Sequence, residues 1–66
     1  MPLTAYLGCL IKGDWKTVPI KYASRKAYND DRDTGFQLNY DVVVDMFEKL
    51  HGEVPEDIIE TDHIEK

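Results

Sequence analysis

Residues 4–22, "TAYLGCLIKGDWKTVPIKY", decide the fold class, because two runs of alternating apolar and polar residues flank a single turn signal, Gly13-Asp14. A period of two is typical of a strand with one buried face, and two such runs around a short turn indicate a β-hairpin. We expect a four-residue turn in which Lys12 faces Trp15. The hairpin is therefore predicted to be antiparallel.

This register sorts the side chains of the hairpin onto two faces. Leu7 pairs with Ile20 and Cys9 pairs with Val18, so one face is almost wholly apolar. Pro19 has no N–H to donate, so the second strand is expected to leave one edge of the sheet free. The opposite face is mixed and carries Tyr6, Leu10, Lys12, Trp15, Thr17 and Lys21.

Residues 38–52, "LNYDVVVDMFEKLHG", carry helix signals at both ends, with Asn39 as the N-cap and Gly52 after the last turn. Helical periodicity predicts one apolar stripe of Tyr40, Val43, Val44, Phe47 and Leu50, and an opposing acidic stripe of Asp41, Asp45 and Glu48. Val42 and Met46 fall outside the apolar stripe. We therefore expect another surface to cover them.

These segments predict an α+β fold in one small domain, residues 1–66. The N-terminal antiparallel hairpin, with room for a third short strand, is expected to pack on one main helix. Residues 28–38 are predicted to be a polar loop. Residues 54–64 suit a helix, a strand or a tail, and the C-terminus is expected to be a short helix or a frayed acidic tail over residues 61–66.

The polar stretch "YNDDRDTGFQLNYD", residues 28–41, has the composition of a calcium-binding loop. With Gly35 at loop position six, Arg32 occupies position three, where the ion needs an oxygen ligand. If Asn29, Asp31 and Asp33 supply the oxygens instead, Gly35 lies one position too late. Neither register fits, so we expect a solvated turn and no metal site.

The remaining reactive side chains have structural explanations. Cys9 lies on the apolar face and is expected to be buried, and His51 ends the helix, where a cation is favoured. His63 lies among carboxylates, but two histidines twelve residues apart form no recognised metal motif. No nucleophile or phosphate-binding motif is present, and so short a chain has little volume for a catalytic cleft. We predict neither an enzyme nor a bound cofactor.

The net charge of −5 hides a division along the chain. Residues 1–27 carry five basic residues against Asp14, a net charge of +4, whereas residues 28–66 carry three basic residues against twelve carboxylates, a net charge of −9. The single cysteine forms no internal disulfide, and we expect neither a signal peptide nor a membrane span, because no basic segment precedes an apolar run and no apolar run is long enough to cross a bilayer. We expect a cytoplasmic protein, in the host cytoplasm if it is viral, with no membrane partner.

The charge pattern favours a protein–protein interaction module that binds a basic surface of another protein. The expected contact residues are Asp41, Val42, Asp45, Met46, Glu48, Glu53, Glu56, Asp57 and Glu60. By analogy of size and charge with small acidic inhibitors encoded by phages and mobile elements, we expect this chain to act as a nucleic-acid mimic that competes for a basic nucleic-acid-binding surface.

Two alternatives remain open from the sequence. The basic, aromatic N-terminal half could bind nucleic acid, with Trp15, Tyr6 or Tyr28 stacking on bases. The overall acidity makes nucleic acid the less favoured partner. The expected nucleic-acid contacts are Lys12, Trp15, Lys16, Lys21, Arg25 and Lys26. In the second alternative, the chain is a homodimer with Val42 and Met46 at the two-fold axis.

Overall fold

The computed structural model describes residues 1–65 and contains a three-stranded antiparallel sheet and two helices. The elements are β1 (Leu3–Ile11), β2 (Asp14–Tyr22), α1 (Arg25–Asp33), α2 (Tyr40–His51) and β3 (Glu60–Glu65). The order in the sheet is β2-β1-β3, so β1 is central. The predicted α+β class is confirmed, as are the N-terminal hairpin and the main helix.

The hairpin turn is shorter than predicted. Lys12 and Gly13 both have positive φ angles, 52° and 83°, and Leu10 lies opposite Trp15. This is a two-residue turn, whose twist matches that of the flanking strands better than a longer loop does. The predicted register was wrong by two residues. Because side chains alternate with a period of two, the predicted faces are unchanged.

The apolar face of the hairpin forms the core together with the helices. Val43 and Phe47 of α2 and Tyr28 of α1 are buried against it. Both helices pack on this face of the sheet, so within residues 1–65 no helix covers the opposite face. We call that second surface the open face. The buried strand residues are Leu3, Ala5, Leu7, Cys9, Ile11, Val18, Ile20 and Tyr22.

The predicted polar loop, residues 28–38, was largely wrong, because α1 extends to Asp33. Ser24 caps this helix, and its hydroxyl accepts a hydrogen bond from the Ala27 N–H at 3.1 Å. Tyr28 and Asp31 point into the protein while most of the other polar residues face solvent. The Asn- and Asp-rich composition belongs to a solvent-exposed helix face, and a turn has a similar composition.

Asp31 is completely buried and joins three elements. The Tyr22 hydroxyl of β2 donates to Asp31 Oδ2, and the backbone N–H of Asn39, just before α2, donates to Asp31 Oδ1 at 3.2 Å. Burial and the hydrogen bond to Asp31 raise the pKa of Tyr22 above its usual range. The Asn39 amide also donates to Asp31, at 3.3 Å, instead of capping α2 as predicted. Both carboxylate oxygens of Asp31 thus accept hydrogen bonds from groups of the protein itself.

The C-terminal part is a strand, not the predicted helix or frayed tail. β3 pairs with β1 across a bulge near Tyr6 and Leu7, and Lys66 lies outside the described residues. Ile59 is buried and Ile64 packs against the core. The free edge of β1 supplies the hydrogen bonds, and these two isoleucines supply the apolar contacts, so the acidic composition does not prevent pairing.

The predicted bounds of α2 are confirmed, and Gly52 follows it in the left-handed conformation with φ 71°. The predicted stripe was wrong at both ends, because Tyr40 is 38 % exposed and Leu50 is 54 % exposed. In the last turn His51 faces the sheet instead, and its Nε2 lies 2.7 Å from the Thr17 carbonyl oxygen. Met46 is partly buried against the core, whereas Val42 is exposed.

Phe47 and Leu50 provide a matched test of this packing. Phe47→Ala should lower the free energy of unfolding by about 3 to 5 kcal/mol, because it leaves a cavity beside the sheet. Leu50→Ala should cost less than about 1 kcal/mol, because half of its surface is already in water. Urea denaturation followed by circular dichroism measures both. Equal losses would show that the last turn of α2 is packed differently.

Asp31 and Asp33 provide the second test, since both lie in α1 but only Asp31 is buried. Asp31→Ala should cost about 3 kcal/mol, because it leaves the Tyr22 hydroxyl and the Asn39 N–H without their acceptor. Asp33→Ala should change stability by less than about 0.5 kcal/mol. The same urea experiment applies. A tolerated Asp31→Ala would mean that water replaces the carboxyl group without loss.

Candidate functional site

The predicted nucleic-acid contacts do not form one basic patch. Lys12 precedes β2 and Arg25 follows it, and a nine-residue strand is about 30 Å long. Lys26 forms an ion pair with Asp30 at 2.9 Å. Tyr28, one of the predicted stacking residues, is buried in the core. The five cations are therefore spread along the molecule.

Two further members of that set point to different sides of the sheet. Lys21 lies opposite Thr4 on the open face, whereas Lys16 lies opposite Cys9 and so belongs to the helix side. Lys12 Nζ lies 4.0 Å from Glu53 Oε2, and the backbone N–H of Lys12 donates to Glu56 Oε1 at 3.4 Å. The turn therefore contacts acidic residues of the same chain.

The predicted acidic surface is also divided. Asp41, Asp45 and Glu48 are exposed on the side of α2 that faces away from the sheet, and Asp45 pairs with Lys49 at 3.1 Å. Glu60 lies opposite Gly8 and points to the open face. The predicted contact residues thus lie on opposite sides of the protein, and no single partner surface meets all of them.

At one end of the open face, five residues line a depression of about 330 Å³, which we call the Trp15 depression: Leu10, Trp15, Asp57, Ile58 and Glu60. Its apolar side chains are well exposed, with 44 % for Leu10, 44 % for Trp15 and 77 % for Ile58. Trp15 came from one predicted set, and Asp57 and Glu60 came from the other. Leu10 and Ile58 were in neither set, although the alternation of β1 already placed Leu10 beside Trp15.

The indole of Trp15 crosses the central strand. A Cβ on Gly8 would lie 2.2 Å from Cζ2, 2.5 Å from Cε2 and 2.9 Å from Cη2 of the ring, so the ring lies with one face against the glycine backbone. The indole Nε1–H donates to Asp62 Oδ1 of β3 at 3.0 Å. A glycine in a strand interior often marks such a close approach. Trp15 is thus held on all three strands.

Asp62 fixes negative charge beside this tryptophan. Its Oδ2 lies 2.9 Å from His63 Nδ1, and the hydrogen bonds from His63 and Trp15 hold the pKa of Asp62 below its usual range. The bond to Asp62 in turn raises the pKa of His63. The His63 ring stacks on Tyr6 with centroids 4.3 Å apart. In residues 1–65, no three metal-ligating side chains converge here or elsewhere.

The segment before β3 is fixed against the hairpin. The Cys9 thiol lies 3.3 Å from the Asp57 carbonyl oxygen, and Cys9 is fully buried, as predicted. The Asp57 carboxylate accepts a hydrogen bond from the Ile58 N–H at 2.7 Å. These contacts hold Asp57 and Ile58 at the rim of the depression.

Comparisons of the chain with protein-family models, with curated proteins and with solved structures return no match. Among residues 1–65, no helix is both long enough and apolar enough to cross a bilayer.

Gly8→Ala tests the placement of the indole. The added methyl group must displace the ring, break its bond to Asp62 and shift the emission of this single tryptophan to longer wavelength. We expect a loss of about 1 to 3 kcal/mol in stability. Gly52→Ala is the control, since it strains a left-handed residue with no atom within 4 Å of the new Cβ. It should destabilise the protein without changing the emission. An unchanged spectrum in Gly8→Ala would contradict the contact.

Proposed function

We propose that this protein is a small acidic protein–protein interaction module whose Trp15 depression binds a basic surface of another protein. The observation that carries the proposal is the exposure of Leu10, Trp15 and Ile58 among carboxylates. Interfaces commonly have an apolar centre inside a polar rim, and tryptophan is enriched among the residues that dominate binding energy. The depression has this composition.

The charges around the depression support a cationic partner. Asp57 and Glu60 line it, and Asp62 holds the indole. A net charge of −5 for the whole chain attracts a basic protein over the Debye length of about 10 Å at moderate salt. The partner class we propose is a protein whose basic surface otherwise binds nucleic acid, so that this module inhibits it by competition.

The nucleic-acid alternative has less support. Its cations are separated along the sheet, and two of them lie beside carboxylates of the same chain. A polyanion would also meet the net negative charge of the chain, which opposes binding.

Affinity capture followed by measurement on the purified pair tests the proposal. Capture from nuclease-treated lysate identifies bound proteins, and titration of each purified candidate with this protein then gives a dissociation constant. We expect a basic protein whose affinity falls as salt rises, and which loses its nucleic acid when this protein is added. The double variant Asp57→Lys, Glu60→Lys should abolish binding.

The matched control reverses the same number of charges on the other side of the molecule. Asp41→Lys, Glu48→Lys changes the net charge equally but leaves the depression intact, so it should weaken binding only through long-range attraction. Loss of binding in this variant alone would place the interface on α2. Binding to purified RNA or DNA that disappears in Lys16→Glu would instead support the nucleic-acid alternative. A dimer in light scattering that Val42→Asp dissociates would support self-association.

A further inference from the structure

We infer that the solvent-facing side of the Trp15 indole receives an arginine side chain of the partner, an inference that rests on the proposed function. The ring is already fixed before any partner binds. Its inner face lies on Gly8, and its Nε1–H is held by Asp62 at 3.0 Å. Binding therefore costs little additional side-chain entropy at the tryptophan.

No cation of the described chain occupies the outer face of this indole. The cation–π contacts among residues 1–65 are those of Arg25 and Arg32, and both are made with Tyr28. Trp15 is 44 % exposed with one face covered, so the other face is open to a ligand. Tryptophan is the aromatic side chain that attracts cations most strongly.

The surroundings of the ring match the rest of such a side chain. Asp57 and Glu60 line the same depression and offer carboxylate oxygens to a cation that lies on the indole. Leu10 and Ile58 are exposed aliphatic side chains against which three methylene groups can pack. Cationic head and apolar stem are therefore both accommodated.

This arrangement favours arginine over lysine. A guanidinium group is planar, so it stacks on an indole, and its donors form a fork that suits carboxylate oxygens. It is also more weakly hydrated than an ammonium group, so less hydration is lost on binding. A lysine would gain the charge attraction without the stacking.

Capped nine-residue peptides with one central basic position test the inference on the full chain. The three probes share a sequence of serine and leucine and carry arginine, lysine or the neutral isostere citrulline at the centre. Titrations followed by NMR should show saturable binding of the arginine peptide, with shifts of the Trp15 indole N–H and the Gly8 amide. The lysine peptide should bind at least twofold more weakly, and the citrulline peptide should not saturate.

Variants locate the contribution of the ring. Trp15→Leu should weaken binding of the arginine peptide about two- to fivefold, the range expected for a cation–π contact at an exposed site. It should also bring the arginine and lysine peptides to equal affinity. Asp57→Asn with Glu60→Gln should weaken binding of both charged peptides, whereas Asp41→Asn with Glu48→Gln should leave it unchanged. Each melting curve shows whether the variant is folded.

Equal affinity of the parent protein for the arginine and lysine peptides would overturn the inference, as would shifts confined to α2. In that case the proposed function stands if the purified basic partner still binds and still depends on Asp57 and Glu60. If the partner fails to bind as well, both proposals fall. If Trp15→Leu does not fold, the peptide selectivity and the indole shifts of the parent protein decide alone.

Discussion

The buried carboxyl group of Asp31 constrains the arrangement of both helices. It lies on the inner side of α1, accepts a hydrogen bond from the Tyr22 hydroxyl at the end of β2, and accepts two from Asn39 before α2. The backbone carbonyl oxygen of Asp31 also accepts hydrogen bonds from the N–H groups of Thr34 at 3.1 Å and Phe36 at 2.7 Å. A buried polar group is costly unless it is paired, so these elements are held in one relative position.

This arrangement has a consequence for the rest of the sheet. Both α1 and α2 pack on one face of the sheet, and their buried apolar residues contact that face. Neither helix is therefore left to cover the open face. Small domains have little apolar surface to spare, and this one packs a single core around Phe47 and Leu7. The open face is stabilised by different contacts, chiefly the Trp15 indole lying on Gly8 and bonded to Asp62. The side chain that holds three strands together is also the one presented to solvent.

The same placement explains how an acidic domain can present an apolar site. Ile59 is buried and its neighbour Ile58 is exposed, so the two isoleucines face the core and the solvent respectively. The contacts of Cys9 with the Asp57 carbonyl and of the Lys12 N–H with Glu56 fix this segment at the hairpin. Carboxylates and apolar groups therefore meet at one end of the sheet, where a cationic partner gains both attraction and apolar contact.

The sequence by itself determined the local features. Alternation over residues 4–22 specified the hairpin and its two faces, and the signals at Asn39 and Gly52 specified the bounds of α2, because these patterns depend only on neighbours along the chain. Tertiary structure decided the rest. β3 forms because the edge of β1 and the core accept an acidic segment, and Asp31 is buried because partners distant in sequence satisfy it. The Trp15 depression likewise joins residues some forty positions apart, which no local pattern could bring together.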